Sequence, residues 1–161
     1  MTRTLTGTAR HTRRQPGTFP ATISLQTTQS NWPTLTLSVP MNFTISVDTS
    51  RGIVRITHKD EMSLEDMLEG RRQVGLKMQE TGYSKMLVDV LDVASAPGTM
   101  DTFEISSSHH RDLPDDFRLA ILAPAHMIKD AKFGETVGVN RGFIIKAFQD
   151  EEEAIAWLTS P

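Results

Sequence analysis

The chain has 161 residues, 38% of them hydrophobic and 23% charged, with a formal net charge of −3 and no cysteine. That composition is globular and sized for a single ordinary domain. It excludes disulfides, thiolate metal sites and a cysteine nucleophile, and it gives nucleic acid no basic footprint to bind. No apolar run approaches the roughly 18–20 residues of a membrane span, so a cytoplasmic protein is expected.

Charge divides the chain in two. Residues 1–40 carry Arg3, Arg10, Arg13 and Arg14 and no acid, and the first acid is Asp48. Of the 17 basic residues, four lie in this leader, so residues 41–161 hold 13 against 20 acids, a net of −7. The leader is 14 Thr or Ser in 40 residues and is broken by Pro16, Pro20, Pro33 and Pro40. It is expected to be a disordered extension, or sequence upstream of the true start at Met41. An arginine-rich transit peptide is the alternative, but no amphipathic helix accompanies the arginines. Thr34 to Val39 alternates as an extra edge strand would, between Pro33 and Pro40.

From Met41 the pattern becomes regular. Phe43 to Val47 and Ile53 to Thr57 alternate with period two, around the turn cluster Asp48-Thr49-Ser50-Arg51-Gly52, and predict an antiparallel hairpin. Ser63, with Asp66 three residues on, opens a helix that Gly82 closes. Leu64, Met67, Leu68, Val74 and Met78 form its apolar face, and Arg71, Arg72 and Lys77 are assigned to its solvated face. Met86 to Leu91 is a continuous apolar run, the mark of a strand covered on both sides. A loop with Pro97-Gly98 leads to a weaker helix over 100–111. Phe117 to Leu122 is a second buried strand, a helix follows over 126–140, and Phe143 to Phe148 is the last strand. Asp150 caps a final helix whose first turn carries Glu151, Glu152 and Glu153, acids that suit the positive end of the helix dipole. Ala154, Trp157 and Leu158 face the sheet. Helices alternating with buried strands predict right-handed crossovers. The fold class is α/β, one domain over 41–161. Its mixed, mainly parallel sheet has about five strands and an N-terminal β-hairpin, with about four helices.

Several of these pieces in this order resemble the SpoIIAA-like branch of the STAS superfamily. They are the hairpin around Asp48 to Thr57, Leu87-Val88-Asp89-Val90-Leu91-Asp92-Val93, and Arg118 to Pro124. Phe133-Gly134-Glu135 with Asn140-Arg141-Gly142 fits the helix before the last strand. The close, Phe148 to Leu158, is similar to the family's F-x-D-x-x-x-A-x-x-W-L ending. The resemblance implies a STAS-like fold, a bacterial setting, and a non-enzymatic binding or regulatory module acting through a protein partner. Classical anti-sigma-factor antagonists of the superfamily are switched by phosphorylation of a serine in an Asp-Ser-Ser-Gly-type turn. Here that turn reads Asp92-Val93-Ala94-Ser95-Ala96-Pro97-Gly98-Thr99. The motif is absent, and Ser95 is only the nearest hydroxyl.

Parallel sheets take ligands outside the carboxyl ends of their strands. That edge places Asp92, Ser95, Thr99 and His126 as candidate ligand-binding residues, although an Asp just past a strand more often caps its own loop. An enzyme acting through Asp92 and His126 is the remote alternative, and no catalytic residue is assigned. His109 and His110 stand beside Asp112 and Asp115, but adjacent histidines on a helix diverge. They are assigned to an exposed polar helix end, with no metal. Ser106, Ser107 and Ser108 form no nucleophile elbow. Met62, Met67, Met78 and Met86 are core residues by default. A methionine-lined pocket for a small apolar or lipid-like ligand, between sheet and helices, is the sharper alternative. No cofactor is expected. The expected partner is a protein or a small apolar ligand, a homodimer included.

Overall fold

The structure, a computed structural model, describes the backbone of residues 23–26 and 34–37 and all of residues 41–161. β1 (Ile23–Gln26) pairs antiparallel with β2 (Thr34–Leu37) in a two-stranded sheet of its own. The alternation at Thr34 is thus a strand, but its partner is β1, where an edge strand of the main sheet was expected. The rest of the leader, and with it the expected disorder, lies outside the described residues.

Residues 41–161 run β3 (Phe43–Asp48), β4 (Ile53–Asp60), α1 (Leu64–Thr81), β5 (Lys85–Val93), α2 (Thr99–Ser107), a single 3-10 turn at His109–Arg111, β6 (Arg118–Leu122), α3 (Ile128–Val139), β7 (Ile144–Phe148) and α4 (Glu151–Thr159). The sheet order is β3-β4-β5-β6-β7. Only the β3–β4 hairpin is antiparallel, and β4 through β7 are parallel. This is the expected mixed α/β sheet with its opening hairpin and four helices.

Local chemistry sets the boundaries. Asp48 accepts from the Ser50 and Arg51 amides and closes the hairpin turn, and Gly52 takes the positive φ of 65° that the turn requires. Ser63 and Asp66 cap α1 reciprocally, satisfying two of the amides a helix start leaves bare. Asp150 caps α4 by accepting from the Glu153 amide.

Strand alternation divides the core between two faces. Val54 and Ile56 of β4, Met86 of β5, Leu119 of β6 and Ile145 of β7 pack on one face with Val74 and Met78 of α1. Ile53, Leu87, Ala120, Leu122 and Phe148 pack on the other with Ala154 and Leu158 of α4. Trp157 is half-buried against Phe148, beneath the Arg118 guanidinium. On the α4 face Arg55 bridges the buried Asp89 and Glu151 at 2.6 and 2.7 Å, tying the helix start to the sheet.

α1 lies close to its neighbours because glycine leaves room. A Cβ on Gly75 would overlap the backbone carbonyl oxygen of Asp112, and backbone yields less readily than a side-chain tip. Gly75→Ala is therefore expected to destabilise the domain by about 1–3 kcal/mol, as overpacking does. Urea denaturation checks this, and an unchanged midpoint would mean that α1 shifts freely.

The inner stripe of α1 differs from the expected one. Its buried residues are Met67, Gly70, Arg71, Val74, Gly75 and Met78, spaced three and four apart as one helical face must be. Leu64 and Leu68 are only half-buried. Arg71, assigned from sequence to the solvated face, is 4% exposed.

Candidate functional site

The helix-rich face of the sheet does not close completely. Between it and α1, α2 and α3 lies a cavity of about 120 Å³. Its floor is Ile56 of β4, Met86, Val88 and Val90 of β5, and Leu119 and Ile121 of β6. Its walls come from the loops and helices that follow those strands: Met62, Met67 and Arg71 after β4, Pro97, Thr102 and Ser106 after β5, and Met127, Ala131 and Gly134 after β6. The walls thus rise from the carboxyl ends of three parallel strands, where such sheets leave space for ligands.

Methionine recurs around the cavity. Met62, Met67 and Met86 line the cavity, as the sharper sequence reading required, and Met127 joins them. Met78 does not; it is a core residue packed with Val54 and Val74. Flexible thioethers adapt to irregular apolar shapes.

Against this apolar lining stand a few polar groups with strict placement. Arg71 enters from α1. Its Nε donates to Asp112 Oδ2 at 2.6 Å, and its Nη1 donates to the Ile105 carbonyl oxygen at 3.1 Å and to Ser108 Oγ at 2.9 Å. Ser108 Oγ in turn donates to the Glu104 carbonyl oxygen. The arginine fastens α1 to the C-terminal end of α2, and its Nη2 takes no part in these bonds. Thr102 and Ser106, one turn apart on α2, bring two buried hydroxyl-bearing side chains to the lining.

His58 and His109 also line the cavity, 3% and 7% exposed. His109 packs against Phe117 and Phe143 at ring distances of 5.6 Å. Its expected place on an exposed polar helix end is incorrect. The 3-10 turn after α2 rotates His109 inward while His110 stays exposed. Burial drives the His109 imidazole down to about 3, and the nearby Arg71 charge pushes the same way. Burial also lowers His58 to about 4, against the opposing pull of Asp66 and Asp89. Both rings are neutral at pH 7, and the Nδ1 of each is buried without a partner among the described residues.

Asp92, Ser95, Thr99 and His126 stand elsewhere. Asp92 is near the end of β5, Ser95 in the following loop, Thr99 at the start of α2, and His126 just before α3. All four are exposed. The cavity uses their neighbours Pro97, Thr102 and Met127 instead. Asp92 and His126 are thus surface residues on different elements, one near the end of β5 and the other in the turn before α3. Among the described residues no group of three or more His, Asp or Glu stands close enough to hold a metal ion. No described helix is long and apolar enough to cross a membrane.

Sequence reasoning missed Arg71, Thr102, Ser106 and His109. A signal for Arg71 was present. Met67, Arg71, Val74 and Met78 follow the four-three-four spacing of one helix face, and the arginine interrupts that stripe from within. The buried histidine had no comparable signal, since the turn that rotates it inward leaves no periodic trace.

No protein-family model matches the chain, and no curated protein does. Solved structures do match. An anti-sigma factor antagonist from Mycobacterium paratuberculosis aligns with a TM-score of 0.51 and 13% identity, over 77% of this chain and 100% of that one. The fold is STAS-like. A protein of the DUF3478 family with a SpoIIAA-like fold, from Shewanella loihica, aligns at a TM-score of 0.47 and 16% identity, over 75% of this chain and 97% of that one. At these identities the likeness is one of fold. Within this STAS-like fold the cavity occupies the face carrying α1, α2 and α3, and α4 closes the other face.

Proposed function

We propose that this STAS-like domain is a non-enzymatic binding module whose cavity takes a small apolar ligand. The observation that carries this reading is the methionine-rich cavity of about 120 Å³ at the carboxyl edge of the sheet. A cavity of roughly 150 Å³ lined by apolar side chains holds a molecule the size of benzene, so the occupant is small or extends one end outward. Half-buried Met62 and Pro97 and the exposed Asp130 are part of the lining, which gives such an end a way out. In this reading Asp92, Ser95, Thr99 and His126 belong to the surrounding surface of that edge.

The test is gentle purification followed by native mass spectrometry and by melting before and after delipidation. A bound ligand raises the melting temperature because it binds only the folded state. A bare mass together with an unchanged melting temperature after delipidation would sink the apolar-ligand reading.

A second reading is a regulatory module acting on a protein partner. The solved anti-sigma factor antagonist of the same fold favours it. The turn after β5 lacks the Asp-Ser-Ser-Gly-type motif, so any partner is engaged without that phosphorylation switch. Ser95 is exposed there and is the residue to test. A pull-down from a bacterial lysate is expected to recover one partner reproducibly, and recovery unaltered by Ser95→Glu. Reproducible failure to recover any partner would count against this reading.

A further inference from the structure

The polar groups of the cavity are not spread evenly. Ile56, Met86, Val88, Leu119 and Ile121 make its floor apolar, save for the neutral His58 ring on β4. The hydroxyls of Thr102 and Ser106 and the Arg71 guanidinium come from α2 and the side of α1 fastened to it. A ligand therefore meets hydrocarbon and the uncharged His58 ring along the sheet, and the charged and hydroxyl donors from the helices.

Charge decides which head group suits those donors. Arg71 is the buried ionised residue of the lining, and Asp130, the other charged one, is exposed. Asp112 occupies the Nε edge of the guanidinium with its side chain 23% exposed, so water shares its negative charge. Nη1 is taken by Ile105 and Ser108. Nη2 has two hydrogens to offer. A cationic head would be placed against a buried cation, and an alcohol would leave the charge unused. A carboxylate accepts charge-assisted hydrogen bonds, which are about twice as strong as neutral ones. Lysine does not reproduce a planar guanidinium pinned by three other bonds.

We propose that the cavity binds a short-chain apolar monocarboxylate, its carboxylate against Arg71 Nη2 with Thr102 and Ser106 in reach, its chain along Val88, Ile121 and the methionines. This rests on the apolar-ligand reading above and adds the head group to it. The size of the cavity suits a chain of about six carbons.

The test compares hexanoate, 1-hexanol and hexylamine on the full chain by calorimetry. Hexanoate is expected to bind at least tenfold more tightly than hexanol, with hexylamine weakest. In Arg71→Gln that advantage disappears. Should Arg71→Gln fail to fold, Ser106→Ala is expected to weaken hexanoate at least threefold and hexanol little. Equal binding of hexanoate and hexanol would overturn the carboxylate and leave the apolar cavity standing. Binding of none of the three would overturn both.

Discussion

Arg71→Ala is expected to cost the domain about 3 kcal/mol, since removing one partner of a buried ion pair costs roughly 3–5 kcal/mol and Asp112 keeps some access to water. Four consequences coincide. Asp112 loses its cation, the Ile105 carbonyl and Ser108 hydroxyl lose a donor, and the cavity grows by the volume of a side chain. Native domains hold only about 5–15 kcal/mol in all, so the loss is a large fraction of stability. Arg71→Met separates packing from charge. It restores much of the stem's volume, so it is expected to fall between wild type and alanine. Urea unfolding of the three proteins at pH 7 measures this. An alanine variant within about 0.5 kcal/mol of wild type would place Arg71 among ordinary surface substitutions and remove it from the fastening of α1 to α2.

Acid is expected to unfold the protein in a window that the two buried histidines define. Their folded-state values, about 4 for His58 and about 3 for His109, lie below the ordinary 6.5. Between pH 6.5 and 4 the unfolded chain therefore binds protons that the folded chain refuses. Stability is full above pH 6.5 and falls as pH drops toward the folded values. At 1.36 kcal/mol per unit, each ring costs on the order of 3 kcal/mol by pH 4. The lowered carboxylates act later. Asp48, held down by Ser50 and Arg51, and Glu69, held down by Arg72 and Gln73, both sit at about 2. Their contributions fade only as pH falls from the ordinary carboxylate range toward 2. The double variant His58→Phe, His109→Phe keeps the aromatic packing against Phe43, Phe117 and Phe143 and removes the titration. Its unfolding free energy is expected to be nearly flat from pH 6.5 to 4.5. A slope as steep as that of wild type would assign acid sensitivity to other groups.

The two variants probe different parts of one cavity wall, and the sequence disclosed them unequally. The capping box Ser63–Asp66, the Gly82 stop, the Asp150 cap and the continuous apolar run of β5 are local signals, and each element stands within a few residues of its expected bounds. The hairpin and the parallel order followed from strand alternation and from helices intervening between buried strands. Three of the four expected methionines line the cavity: Met67 and Met86 fall on helix and strand faces that periodicity identifies, and Met62 lies in the connection between β4 and α1.

What a side chain does at such a face depends on its neighbours across the fold. The sequence determined that α1 has an inner stripe, but only tertiary packing brought Asp112 and Ser108, more than 35 residues away, to within hydrogen-bond distance of Arg71. A charge can be buried once such partners exist; helical spacing sets Arg71 and not Arg72 on the inner stripe, but spacing alone supplies no partner that would let a charge stay there. His109 depends on a single 3-10 turn that directs it toward Phe117 and Phe143. Its neighbour His110 has the same local chemistry and remains in water. Periodicity therefore determined the elements and their apolar faces, because those arise from bonds and contacts a few residues apart. The cavity and its polar wall were decided by the tertiary structure, because they exist only where three strands, three helices and one turn converge.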